Sequence, residues 1–142
     1  MSVQKGDRLK PYEVLITPEL VAEYAELSGD RNRLHLDEEF ARQTRFGTRI
    51  AHGMILVAAS NEMLMGNFGI DWSQTGTLTT SFVAPTPVNA TLVINGVVTN
   101  IIDTVEHQQI EFELYGIING SQQVFKAIGS VRRVLASNQK VG

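Results

Sequence analysis

The stretch "GMILVAASNEMLM", Gly53 to Met65, constrains the fold more than any other part of the chain. Its first half is apolar nearly all round, so as a helix it has no face to offer water. At about four turns it is too short to span a bilayer. The rest of the chain must therefore enclose it, with Gly66-Asn67 as the expected stop. The segments that follow are strand-like. "GTLTTSFVA" breaks at Pro85 and Pro87, and "ATLVINGVVTNII" reads as a long strand with Gly96 as an expected bulge. In "QIEFELYGI", Ile110, Phe112 and Leu114 alternate with Gln109, Glu111 and Glu113, the period of a half-buried antiparallel strand. Asn119-Gly120 signals a hairpin leading into "VFKAIGSVRRVL". These signals predict an α+β chain in which an antiparallel meander curves around one buried helix.

Ahead of that helix, Tyr12 to Ile16 is β-leaning, and Pro11 confines it to an edge or a strand start. Thr17 and Pro18 read as the cap and first position of a helix. Leu20, Tyr24 and Leu27 share one face of it, and Gly29 closes it. A second, short helix is expected from the cap residue Asp37, with Glu38 and Glu39 at its positive end and Gly47 ending it.

The 142 residues suit one domain over 1–142. A net charge of −3 argues against a nucleic-acid partner, which would call for a basic face. With no cysteine there is no disulfide, thiolate metal site or cysteine nucleophile. The opening "MSVQKGDRLK" has no apolar core of a signal peptide, and no apolar run reaches the roughly 18 residues of a spanning helix. A cytoplasmic protein without a membrane partner is expected.

The segment "LSGDRNRLHLDEEFA", Leu27 to Ala41, carries the chemistry. Singly, each polar residue has a structural explanation: Asp30 and Asn32 after Ser28-Gly29 suit a turn, His35 suits a half-buried position, and His52 suits a helix end. Together they exceed what a turn needs. A histidine beside a carboxylate can move a proton near neutral pH. Gly53 begins the buried helix, where the first backbone N–H groups lack partners and the dipole favours negative charge. Such a donor stabilises an oxyanion, and a glycine lets a ligand approach closely. These parts suffice for chemistry at carbons next to a carbonyl. Neither Ser28 nor Ser60 sits in a G-x-S-x-G elbow. A metal site on His35, Asp37 and His52 matches no usual spacing, so no metal is expected. No phosphate-binding or dinucleotide fingerprint occurs, and His107 is given no role.

"YAELSGDRNRLHLDEEFA" followed by "FGTRIAHGM" resembles the MaoC-like, R-specific enoyl-CoA hydratase family, whose motif runs roughly S-G-D-x-N-P-x-H and then I-x-H-G-M. "SFVAPTPV" is similar to that family's strand and proline segment. The resemblance implies a hot-dog fold, a homodimer, and addition of water to trans-2-enoyl-CoA to give R-3-hydroxyacyl-CoA, or the reverse dehydration, without a cofactor. It implies Asp30 and His35 as the catalytic pair, the Gly53 N–H as oxyanion donor, and Asn32, with Ser28 and His52, in support. Two departures stand out. Arg33 replaces the motif's proline, freeing an N–H and a φ angle and placing a cation near the site. Asn89-Ala90 stands where the family often has Gly-Asp.

A CoA or acyl-carrier-protein thioester brings phosphate, and Arg31, Arg33, Arg42, Arg45 and Arg49 crowd this segment. Arg45 and Arg49, nearest the Gly53 turn, are the expected phosphate contacts, with Arg33 as a further influence on substrate. Two other readings remain open at this level. One is a hot-dog acyl-CoA thioesterase using the same oxyanion donor. The other is a non-catalytic module that binds acyl groups or a partner subunit, to which Arg33 lends weight.

Overall fold

The cap and turn signals of the sequence set most element boundaries in the computed structural model, which describes residues 2–134. The chain runs β1 (Tyr12–Leu15), α1 (Pro18–Ser28), α2 (Arg33–Leu36), α3 (Glu38–Arg42), α4 (Gly53–Phe68), α5 (Ile70–Thr75), β2 (Thr77–Phe82), β3 (Thr91–Asp103), β4 (His107–Ile118) and β5 (Gln122–Val134). The Thr17 hydroxyl accepts the Leu20 N–H at 3.0 Å, Pro18 fills the first helical position, and the left-handed Gly29 caps the end of α1. Asp37 caps α3 by accepting the Phe40 N–H at 3.1 Å. Asn119 and Gly120 both have positive φ, 51° and 80°, and turn the chain tightly from β4 into β5.

All strands join one antiparallel sheet in the order β1-β3-β4-β5-β2. Ile110, Phe112 and Leu114 of β4 point into the core, as their alternation predicts. They meet Leu92 and Ile94 of β3, Phe125 and Val131 of β5, and Ile55, Leu56, Ala59, Met63, Leu64 and Phe68 of α4 in one continuous cluster. Phe68 stacks on Phe112 at 5.8 Å between ring centroids. The curved sheet with α4 against its inner face is the hot-dog arrangement that the family resemblance implies.

Five local expectations change. Only β3, β4 and β5 form a meander, because β2 pairs with β5 at the far edge from β1, so the helical block carries the chain from one edge of the sheet to the other. Gly96 is not the bulge, since the register shifts between Val98 and Asn100. A side chain at Gly96 would instead stand 2.7 Å from Leu114 and 2.9 Å from Leu9, so glycine is there for packing. The helix opened by Asp37 stops at Arg42, well before Gly47, because the Thr44 hydroxyl donates to the Ala41 carbonyl at 2.6 Å and accepts the Phe46 N–H. α4 runs through Gly66 to Phe68, whose burial outweighs the roughly 1 kcal/mol that a helical glycine costs. The short helices α2 and α5 carried no recognised sequence signal.

No helix among the described residues is long and apolar enough to cross a membrane. Leu64 is 0 % exposed, and Leu64→Ala is expected to lower unfolding free energy by about 2–5 kcal/mol in urea titration. Thr17→Ala is expected to cost about 1 kcal/mol in the same measurement. The Asp37 carboxyl sits below its ordinary value, first because the Phe40 N–H donates to it and then because the Arg33 guanidinium does. A depressed folded-state value gives stability that is present above the unfolded value, near about 4, and lost as pH falls through the folded one. The stability gap between wild type and Asp37→Ala is therefore expected to shrink on acidification below about pH 4, measured by thermal melts across pH.

Candidate active site

The end of α1 and the short α2 present the chain's polar cluster to the start of α4. Each turn residue has a definite bond. Ser28 Oγ accepts the Asp30 N–H at 3.1 Å, and Asp30 Oδ1 accepts the Asn32 N–H at 3.2 Å. Asn32 Oδ1 in turn caps α2 by accepting the Leu34 N–H at 3.0 Å. Because Oδ1 is held by the turn, Asp30 has Oδ2 left for His35, whose Nε2 lies 3.9 Å away. That is longer than a hydrogen bond, and short enough for both atoms to bond one shared water.

The tautomer of His35 follows from its other nitrogen. Nδ1 lies 2.7 Å from the Ile50 carbonyl oxygen, which only accepts, so Nδ1 carries the proton and a neutral ring turns the Nε2 lone pair toward Asp30. The side chain of His35 is 12 % exposed and that of Asp30 is 54 % exposed, so the carboxylate meets solvent and the imidazole is sheltered.

His52 is buried behind this pair. Its Nε2 donates to the Asp30 carbonyl at 2.9 Å, its ring stacks on His35 at 3.7 Å between centroids, and Tyr24 of α1 meets it edge-on at 4.8 Å. Among the described residues its Nδ1 is buried with no hydrogen-bond partner, as is Thr86 Oγ1 in the chain's proline segment. The His52–Asp30 bond ties the polar turn to the start of α4. Asp30, His35 and His52 offer donor atoms within 4.8 Å of one another, a spacing that suggests metal binding. The ring stacking opposes it. Planes tilted by only 25° meet well beyond a metal–nitrogen bond of about 2 Å, so the two lone pairs do not converge.

Gly53 is the first residue of α4, and its N–H has no acceptor within the helix or elsewhere among the described residues. It lines a groove of about 500 Å³ together with His35, Ala51, Phe82, Val83 and Thr86. The Phe82 ring lies against it, with atoms 2.9–3.1 Å from where a Gly53 side chain would begin. Phe82, at the end of edge strand β2, forms a wall that reading the chain did not identify. Nor did it identify Tyr24 or the Ile50 carbonyl as parts of the site. "SFVAPTPV" marked the right segment, but no local signal says which side chain faces Gly53.

The three arginines named from sequence have different surroundings. Arg33 occupies the first position of α2, where proline's missing N–H would not have been used, so the turn keeps its cap. Its guanidinium bonds Asp37 at 3.1 Å and lies over the Phe40 ring. Arg49 is paired with Glu38 at 2.9 Å. The Arg45 guanidinium lies over the Phe46 ring, 4.8 Å from its centroid, and lines the groove. Asn89, at the motif's second departure, takes a positive φ of 77° in the turn before β3.

The MaoC like domain family matches residues 2–118. Over 34 residues the chain is 62% identical to a 3-hydroxybutyryl-CoA dehydratase of Methylorubrum extorquens, covering 24% of this chain and 22% of that protein. Over 63 residues it is 36% identical to a mitochondrial 3-hydroxyacyl-[acyl-carrier-protein] dehydratase of Arabidopsis thaliana, covering 44% of this chain and 37% of that one. Both matches thus span well under half of the curated relatives' length. Among solved structures, an (R)-hydratase from A. caviae superposes with a TM-score of 0.79 at 23% identity, over 94% of this chain and 98% of that one, which bears on the fold alone. The family match extends from before β1 to the end of β4, and takes in the polar turn, α4 and the groove. By that match the chain belongs to the MaoC-like domain family.

Proposed function

We propose that the chain adds water to trans-2-enoyl-CoA thioesters to give R-3-hydroxyacyl-CoA, or runs the reverse dehydration. The observation that carries the reading is the sheltered His35 Nε2, 3.9 Å from Asp30 Oδ2, in a groove shared with the unpaired Gly53 N–H. In the hydration direction, a water bonded to Asp30 and His35 loses a proton to the pair as its oxygen forms the bond to Cβ. The Cα–Cβ double-bond electrons move toward the thioester oxygen, which the Gly53 N–H stabilises. A proton from the pair then goes to Cα, so the pair ends as it began. Asn32, Ser28 and His52 act by holding the Asp30 turn.

The names of the two curated relatives, a CoA thioester dehydratase and an acyl-carrier-protein one, support the substrate class. A homodimer is part of the reading. Met54, Phe82 and Val83 are exposed apolar residues near the groove, and β2 is an unpaired sheet edge, a surface that association would cover. Sedimentation of the purified protein is expected to give twice the chain mass.

The central test follows loss of the conjugated thioester absorbance of a short enoyl-CoA, with chiral analysis of the product. Asp30→Ala and His35→Ala are each expected to lower kcat by about 10²–10⁴-fold. Unchanged activity in both would remove the proposed roles. Release of free CoA from a saturated acyl-CoA would move the reading to thioester hydrolysis. Gly53→Ala pushes a methyl group against Phe82, and is expected to raise KM by about tenfold or less, with the Phe82→Ala, Gly53→Ala double variant recovering part of the loss.

A further inference from the structure

The arginines between α1 and α4 are not equivalent once their partners are known. Arg31 pairs with Glu26 at 3.1 Å, Arg33 with Asp37 at 3.1 Å, Arg42 with Glu39 at 2.7 Å and Arg49 with Glu38 at 2.9 Å. Arg45 has no carboxylate partner among the described residues. It is exposed, and its guanidinium lies over the Phe46 ring at 4.8 Å. That contact occupies a face of Phe46, and no N–H of the guanidinium donates a hydrogen bond among the described residues, which leaves the group able to bond a phosphate. Among the residues lining the groove of His35 and Gly53, Arg45 alone carries a permanent charge. The other lining side chains, including Phe46, Phe82, Val83 and Pro85, are mostly apolar.

A chain of net charge −3 repels a polyanionic ligand at long range, so a local cation has to offset that repulsion. We infer that Arg45 is the specificity residue for the carrier half of the substrate. It binds a phosphate group at the far end of the thioester arm while the acyl end sits between His35 and Gly53. This rests on the hydratase reading for the acyl end only. The phosphate has two sources: the phosphate on the pantetheine arm, which CoA and an acyl carrier protein share, and the nucleotide phosphates of CoA.

The test compares wild type, Arg45→Ala and Arg45→Lys on thioesters of one short enoyl acid with CoA, with 4′-phosphopantetheine and with pantetheine. Arg45→Ala is expected to raise KM for the CoA thioester about tenfold with little change in kcat, and Arg45→Lys to fall between. The effect is expected to vanish with the pantetheine thioester, which has no phosphate. Persistence of the effect with 4′-phosphopantetheine assigns the contact to the arm phosphate, and confinement to CoA assigns it to the nucleotide. Equal losses on all three thioesters, or no loss on the CoA thioester, would overturn the assignment. Arg42→Ala, which removes a paired arginine from the same segment, is expected to leave KM unchanged, and an equal rise there would reduce Arg45 to general charge. Calorimetric titration with CoA itself separates this inference from the hydratase reading. Weaker CoA binding in Arg45→Ala supports it even in a protein that hydrates nothing, and a wild type that does not bind CoA overturns it.

Discussion

Burial of α4 is the constraint on which the other elements depend. Its residues Leu56 and Leu64 are 1 % and 0 % exposed, and each buried side chain of that size contributes about 1.5–3 kcal/mol when removed from water. A sheet can cover such a helix only if it curves, and a sheet that curves around a helix leaves the helix ends at its rim. The N-terminus of α4 therefore lies where chain segments outside the sheet can reach it. The polar turn after α1 and the proline segment after β2 both do so, through the His52–Asp30 bond and the Ala51–Thr86 backbone bond at 2.8 Å. The folding requirement and the placement of the groove are one geometric fact.

Order at the site comes from backbone atoms more than from pairs of side chains. His35 is oriented by the carbonyl of Ile50, His52 by the carbonyl of Asp30, and Asp30 by the N–H of Asn32. Carbonyl and amide groups do not titrate, so each fixes a proton position or an oxygen whatever the pH. That leaves His35 Nε2 and Asp30 Oδ2, 3.9 Å apart, and the Gly53 N–H without a hydrogen-bond partner among the described residues, with His35 and Gly53 lining the same groove. The His52 Nδ1, which has no hydrogen-bond partner among the described residues, lies beside this turn rather than in the general core.

Charge is distributed on the same plan. Four of the arginines ahead of α4 are tied to carboxylates close in sequence or on the neighbouring element, which makes that block nearly neutral despite its density of charge. Exposed pairs of this kind add little stability. Their larger effect is to leave the cation on the groove wall as the one an anion would meet.

The sequence by itself determined what local physics decides. Thr17, Pro18 and Gly29 bound α1, Asp37 opens α3, Asn119-Gly120 turns β4 into β5, and the alternation of Ile110, Phe112 and Leu114 faces β4 inward, because caps, turns and the two-residue period act within a few residues. The composition of α4 signalled its burial against the sheet but not the face that stays open, where Met54, Ala58 and Met65 are exposed beside Asn61 and Glu62. The spacing of Asp30, Asn32 and His35 together with His52-Gly53 singled out a cluster that the fold gathers at the start of α4. Only the tertiary structure decided that β2 crosses to the far edge, that Gly96 is small for Leu114 and Leu9, that Phe82 walls Gly53, and which arginine between α1 and α4 is left without a carboxylate among the described residues. Each of these is a contact between residues far apart in the chain, or a choice among similar side chains made by what packs beside them. No window of sequence contains the neighbour that settles it.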